Sequence, residues 1–111
     1  MVLNLLLLSA VCALAQGKGY GVEVRPMVPP LVEANPGEIV SLSFVVENMT
    51  GKEETFEESL ALPEGWLVIT PPDVFTLREG EETMRVLAFQ VSATADAREY
   101  PITYSVRSKR D

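Results

Sequence analysis

Carboxylates are the only reactive groups this chain supplies in number. Its 111 residues hold 16 Asp and Glu against 9 Lys and Arg, a net charge of -7, with no histidine and one cysteine, Cys12. The missing histidine excludes Ser-His-Asp and Cys-His catalysis and imidazole metal sites. A glycosidase needs two carboxylates facing each other across a cleft, about 5–10 Å apart. The candidates are Glu53, Glu54, Glu57, Glu58, Glu79, Glu81 and Glu82. They fall in predicted turns and on solvent faces, and no motif raises one pair above the others. No catalytic residue is assigned, and the chain is expected not to be an enzyme. Glu53-Glu54 with Glu57-Glu58 could line a calcium site, but the run lacks the Asp-rich alternation and glycine turn of a calcium loop. No metal or cofactor is expected. The acidic balance, with no basic stripe, also argues against nucleic acid as a partner.

Two further groups have chemical potential. Asn48-Met49-Thr50 is an N-glycosylation sequon in a predicted, accessible turn. The eight aromatic residues mostly fit predicted inner faces, and Tyr20 is the ring expected to be most exposed.

The elements that must position these groups begin with a leader. Residues 1–15 contain 13 hydrophobic residues and no charge, whereas residues 16–111 carry every charged residue. The apolar run is too short for the roughly 20 residues a bilayer span requires. It ends in Ala13-Leu14-Ala15, small residues where a signal peptidase reads, so cleavage is expected between Ala15 and Gln16. The n-region lacks Lys and Arg, which is off pattern; the alternatives are a buried strand or an uncleaved anchor. Ser9 and Val11 do not fit the positions that would make Cys12 a lipidation site. The mature chain is thus expected to be exported to the periplasm, cell surface or extracellular space, with no cysteine to form a disulfide and no stable membrane anchor.

The remaining 96 residues read as one domain. Residues 16–21 are a glycine-rich lead-in, and 22–107 hold short strands separated by Gly/Pro turns. Val22–Arg25 alternates, and a proline-rich stretch through Pro36 reads as an edge strand or a bridge between sheets. Ile39–Glu47 is the clearest strand, with Val40, Leu42, Phe44 and Val46 on one face. Thr55–Leu62, Trp66–Thr70 and Val74–Leu77 follow. In Thr83–Val91 the parity is mixed: Leu87, Phe89 and Val91 agree, Met84 and Val86 do not, and a bulge near Arg85 is predicted to reconcile them. Glu99–Arg107 is the last strand, with Tyr100, Ile102, Tyr104 and Val106 inward, and 108–111 form a tail or linker. This is an all-β pattern, an immunoglobulin-like antiparallel β-sandwich of about seven strands.

Several segments sharpen the resemblance. They are Pro36-Gly37-Glu38, Leu42-Ser-Phe-Val-Val-Glu-Asn48, Leu60-Ala-Leu-Pro-Glu-Gly-Trp66, Phe75-Thr-Leu77 with Glu79-Gly80-Glu81, Phe89-Gln-Val91 and Glu99-Tyr100-Pro-Ile102-Thr-Tyr104-Ser-Val106. Over roughly residues 31–107 the chain resembles the NEW3-type immunoglobulin-like domain of bacterial and archaeal surface proteins and glycosidase-associated modules. Its structural positions are Pro36, Gly37, Phe44, Leu62, Pro63, Gly65, Trp66, Gly80, Phe89, Tyr100 and Tyr104. Glu58 departs from the pattern, because similar domains place an aliphatic residue at that inward parity. Either the strand is at an edge there, or Glu58 pairs with a base such as Arg85, or the register differs.

The reading that follows is a non-catalytic structural or interaction module of the cell envelope, the N-terminal domain or a truncated copy of a larger surface protein. Its expected partners are neighbouring domains or other envelope proteins, reached in part through strand edges. The proline-rich first strand and Glu99–Arg107 are the candidate edges. The alternatives are a carbohydrate-binding or enzyme-accessory domain, which requires an exposed aromatic, and a module linked to fimbrial chaperone-usher assembly.

Overall fold

The computed structural model of the chain describes residues 3–12 as backbone, 21–27 and 31–109. These residues form nine strands and no helix: β1 (Leu3–Cys12), β2 (Val22–Pro26), β3 (Leu31–Ala34), β4 (Ile39–Asn48), β5 (Glu54–Ala61), β6 (Leu67–Val68), β7 (Val74–Leu77), β8 (Glu82–Gln90) and β9 (Pro101–Ser108). One sheet has the order β3-β1-β9-β5-β7, the other β2-β4-β8-β6. Every pairing is antiparallel except β1 with β9, which is parallel.

Alternating residues build the interior. Val40, Leu42, Phe44 and Val46 of β4 are buried, as are Ile102, Tyr104 and Val106 of β9. The two sheets meet at aromatic rings. Phe44 stacks on Tyr104 with centroids 4.4 Å apart. Trp66 lies 5.8 Å from Phe89 and 5.0 Å from Tyr100. Such pairs add to the burial of their large apolar area. Leu62 packs partly buried against this cluster.

Two turns share one construction. In Asn35-Pro36-Gly37-Glu38 and Arg78-Glu79-Gly80-Glu81, the last N–H donates to the first carbonyl, at 3.1 and 3.0 Å. The glutamate carboxylate then accepts the first residue's N–H, at 2.8 and 2.7 Å. Gly37 and Gly80 hold φ of 82° and 72°, the left-handed conformation that glycine adopts without penalty. Pro63 closes a third turn by accepting the Trp66 N–H at 3.2 Å, with Gly65 between them. That turn delivers the Trp66 indole to the interior, where it is 7% exposed.

Three expectations need correction. First, β8 has no bulge: its register with β4 runs unbroken from Ile39↔Gln90 to Glu47↔Glu82. Arg85 occupies the same parity as Leu87 and Phe89, so Met84 and Val86 stay outside, 57% and 50% exposed. Second, with β1 in place β9 lies between β1 and β5; the edges are β3, β7, β2 and β6, so of the two candidate edges the proline-rich strand is one and β9 is not. Residues 3–12, expected from the sequence to belong to a leader, take the place beside β9 as β1. Third, Asn48 is not accessible but 1% exposed. Its amide donates to the carbonyls of Lys52, Leu77 and Arg78 at 2.7, 3.0 and 3.0 Å. Its Oδ1 accepts the N–H and hydroxyl of Thr50. The sequon residue therefore pins the β4–β5 turn to the end of β7.

Asn48→Ala removes the side-chain donor from those carbonyls; Lys52 and Arg78 keep the Thr50 hydroxyl and the Glu81 N–H, while the buried bond to Leu77 is lost outright, a loss worth about 1–3 kcal/mol. A loss of about 2 kcal/mol in urea unfolding is expected, and the folded chain should stay unglycosylated at Asn48 in a host able to modify it.

Candidate functional site

The sheets carry two chemically distinct features: a charged cluster between them and an apolar row on one outer face. The charged cluster centres on Glu58, whose side chain is fully buried. Its position follows from β5, where Glu54, Phe56 and Glu58 alternate inward. Arg85 reaches it from β8 in the opposite sheet, with Nε at 2.9 Å from one carboxylate oxygen and Nη2 at 3.1 Å from the other. The Tyr104 hydroxyl donates to the same carboxylate at 2.6 Å, and the Asp73 N–H at 2.9 Å. The Arg85 guanidinium lies 4.7 Å from the Phe75 ring centroid, within cation–π range. Of the three readings of Glu58, pairing with Arg85 is the one the geometry adopts.

These contacts move the titrations of the partners. The Glu58 hydrogen bond holds the Arg85 guanidinium above its ordinary value. Burial, and then the bond to Glu58, pushes the Tyr104 hydroxyl well above the ordinary tyrosine range. A bidentate, fully satisfied pair of this kind anchors one sheet to the other. Its arginine and carboxylate are committed to each other.

The remaining predicted acids are dispersed. Glu57 points away from Glu58 and pairs with Arg107 at 2.8 Å. Glu54 is buried and accepts the Ser108 hydroxyl. Glu82 joins Glu23 and Glu47 around Arg25, whose charge is held by those bonds, Glu82 foremost. Glu81 closes its own turn. Among the described residues no group of three or more Asp, Glu, Cys or His is placed to hold a metal ion.

The described aromatics face inward or are half-buried. Tyr100 donates its hydroxyl to the Asp96 carbonyl at 3.0 Å, and Arg98 covers its ring at 4.1 Å. The expected exposed ring, Tyr20, lies outside the described residues, as do Ala13, Ala15 and Gln16.

The apolar row lies on the outer face of β4, β8 and β6. Register places Ile39 and Leu67 on either side of Gln90, Ser43 beside Val86, and Val45 beside Met84. Ile39, Leu67, Met84 and Val86 are each at least half exposed. At the far end of the same face the Arg25 cluster with Glu23, Glu47 and Glu82 is polar. The face is thus divided into an apolar half and a charged border. Only the mixed parity of Thr83–Val91 signalled it in the sequence.

Neither a scan of protein-family models nor a search of curated proteins finds a match to this chain.

Removing one partner of a buried pair strands the other, at about 3–5 kcal/mol. Glu58→Leu should therefore lower the unfolding free energy by about 3 kcal/mol. Combining it with Arg85→Met and Tyr104→Phe should restore most of that loss, read by urea denaturation of the single and the combined variant beside the unaltered chain.

The Tyr104 shift has a definite sign. Its folded value lies above its unfolded value of about 10, so the folded chain keeps a proton the unfolded chain releases. Stability is fully present below pH ~10 and is lost as pH rises beyond it, by up to about 1.4 kcal/mol per pH unit. Urea midpoints between pH 8 and 11.5 should show this fall, and Tyr104→Phe should flatten it by one proton.

Proposed function

We propose that the chain is an exported, non-catalytic interaction module of the cell envelope. In this reading it docks the outer face of β4, β8 and β6 on a neighbouring domain of a parent protein or on another envelope protein. The observation that carries the proposal is the apolar row Ile39, Leu67, Met84 and Val86. Ile39 lies on β4, Met84 and Val86 on β8 and Leu67 on the edge strand β6, and all four are open to solvent. Exposed apolar side chains gathered on one sheet face beside a polar border favour protein contacts.

The immunoglobulin-like, NEW3-type reading has separate support. The order β2-β4-β8-β6 in one sheet and the adjacency of β9 to β5 in the other match the ABED and C–F neighbours of such a sandwich. The Tyr100 hydroxyl bonding back to the Asp96 carbonyl just before β9 fits its tyrosine corner. β7 departs from that order, since it follows β6 in the chain yet pairs with β5. The two-carboxylate alternative has no such support, because Glu57 and Glu58 lie on opposite faces of β5 and each is engaged by an arginine.

The test has two arms. The chain is expressed with its own leader in a bacterial host, and the mass and N-terminus of the exported product are measured. The expected product begins at Gln16; a product retaining residues 1–15 contradicts export by cleavage. A photo-crosslinker placed at Val86 should then give a discrete protein adduct in envelope fractions of the source cell. Met84→Glu with Ile39→Glu should abolish that adduct while moving stability by less than about 0.5 kcal/mol, as surface changes do. An adduct unaffected by both charges contradicts docking on this face.

A further inference from the structure

We propose that cleavage after Ala15 opens a strand-acceptor site along β9, filled by an extended, uncharged apolar segment of another envelope protein. This rests on the export reading above and goes beyond it. In the uncut chain, β1 pairs in parallel with β9 from Leu7↔Pro101 to Cys12↔Val106. Residues 1–15 include all of β1, so cleavage removes a strand from the interior of the five-stranded sheet, between β3 and β9. The β9 edge it leaves has backbone donors and acceptors facing outward, a template for another strand. Beneath that edge lie Ile102, Tyr104 and Val106, which are fully buried.

The nearest strand cannot close the gap as it stands. β3 pairs with Leu3, Leu6 and Leu7 of β1, whereas β9 pairs with Leu7–Cys12. The two therefore overlap only at Leu7, opposite Leu31 on one side and Pro101 on the other. Proline offers no N–H to a partner there. Covering residues 102–106 would require β3 to slide by about five residues, roughly 16 Å. The turn that follows it resists this: the Gly37 N–H donates to the Val91 carbonyl at 3.0 Å, and the Val91 N–H to the Glu38 carbonyl at 2.9 Å. Both bonds tie the end of β3 to residues that continue from the opposite sheet.

The occupant's chemistry follows from what the slot holds before cleavage. Leu3–Cys12 is extended and carries no charge. Leu8, Ala10 and Cys12 stand in register with Ile102, Tyr104 and Val106. A replacement strand runs parallel to β9, spans about six residues, and presents small or aliphatic side chains at alternate positions.

The experiment uses chain beginning at Gln16, isolated after export or expressed without a leader. The probe is a synthetic peptide of residues 3–12 with a lysine tail for solubility. A control peptide carries Leu8→Pro and Ala10→Pro. The expected result is saturable 1:1 binding, with about tenfold slower hydrogen exchange at alternate amides of residues 102–106. The control should bind at least about tenfold more weakly, because proline cannot donate to a ladder. Folding of the Gln16 chain only when peptide is present also supports the site. The proposal is overturned if the chain folds and peptide does not saturate, or if it stays unfolded with peptide. It is equally overturned if the β9 edge amides are already protected by β3, a second copy or residues beyond 111. An exported product that retains residues 1–15 sinks the export reading instead, and the peptide titration on the Gln16 chain still decides whether the slot accepts a strand.

Discussion

A carboxylate stripped of water between two sheets must be met by a cation and hydrogen-bond donors, or the sheets cannot close over it. Glu58 imposes that condition here. Arg85 crosses from the opposite sheet to meet it, Tyr104 donates from the neighbouring strand, and the Asp73 N–H takes a further position. Much else follows from the demand. Arg85 occupies an inward position of β8 that an aliphatic residue would otherwise fill. The parity of the strand is thereby fixed, and Met84 and Val86 are consigned to the outer face. Tyr104, ordered by the same carboxylate, presents its ring to Phe44, and that stack joins the two sheets at their centre. The polar core and the apolar surface are two consequences of one register.

The strand pattern was largely legible because period-two alternation carries its own register: Phe44, Leu42 and Val46 announce a half-buried strand without help from other residues. The turns were legible for a similar reason. Gly37, Gly65 and Gly80 each sit where backbone geometry needs positive φ. What failed was anything that depended on residues distant in the chain. Arg85 and Glu58 are 27 positions apart, so the mixed parity of β8 suggested a bulge where a salt bridge was the answer. Asn48 read as a surface sequon because the carbonyls that claim its amide include Leu77 and Arg78, 29 and 30 residues on. The proline-rich strand is an edge as its prolines imply, but β9 is flanked by β1, because neighbour order within a sheet is set by topology, which alternation does not encode.

The same apolar composition suits residues 3–12 to two settings. A run without charge satisfies the h-region of a leader, and it equally satisfies a strand inserted beside β9 over Ile102, Tyr104 and Val106. In the structure the segment completes a five-stranded sheet. In the exported reading it leaves a gap there. The domain's two proposed contacts then differ in kind: an apolar face on the four-stranded sheet, read by shape, and a bare strand edge on the five-stranded sheet, read by backbone hydrogen bonds.

Through the Glu58–Arg85–Tyr104 cluster the two sheets should behave as a single cooperative unit. Native-state hydrogen exchange across a denaturant series tests it most directly, by comparing the amides of Phe44 in β4 and Tyr104 in β9. Both amides should open only with global unfolding, at one shared free energy, and Glu58→Leu should separate them. Independent opening of the sheets in the unaltered chain, with the β9 amide exchanging through a lower-energy opening than the β4 amide, would contradict it.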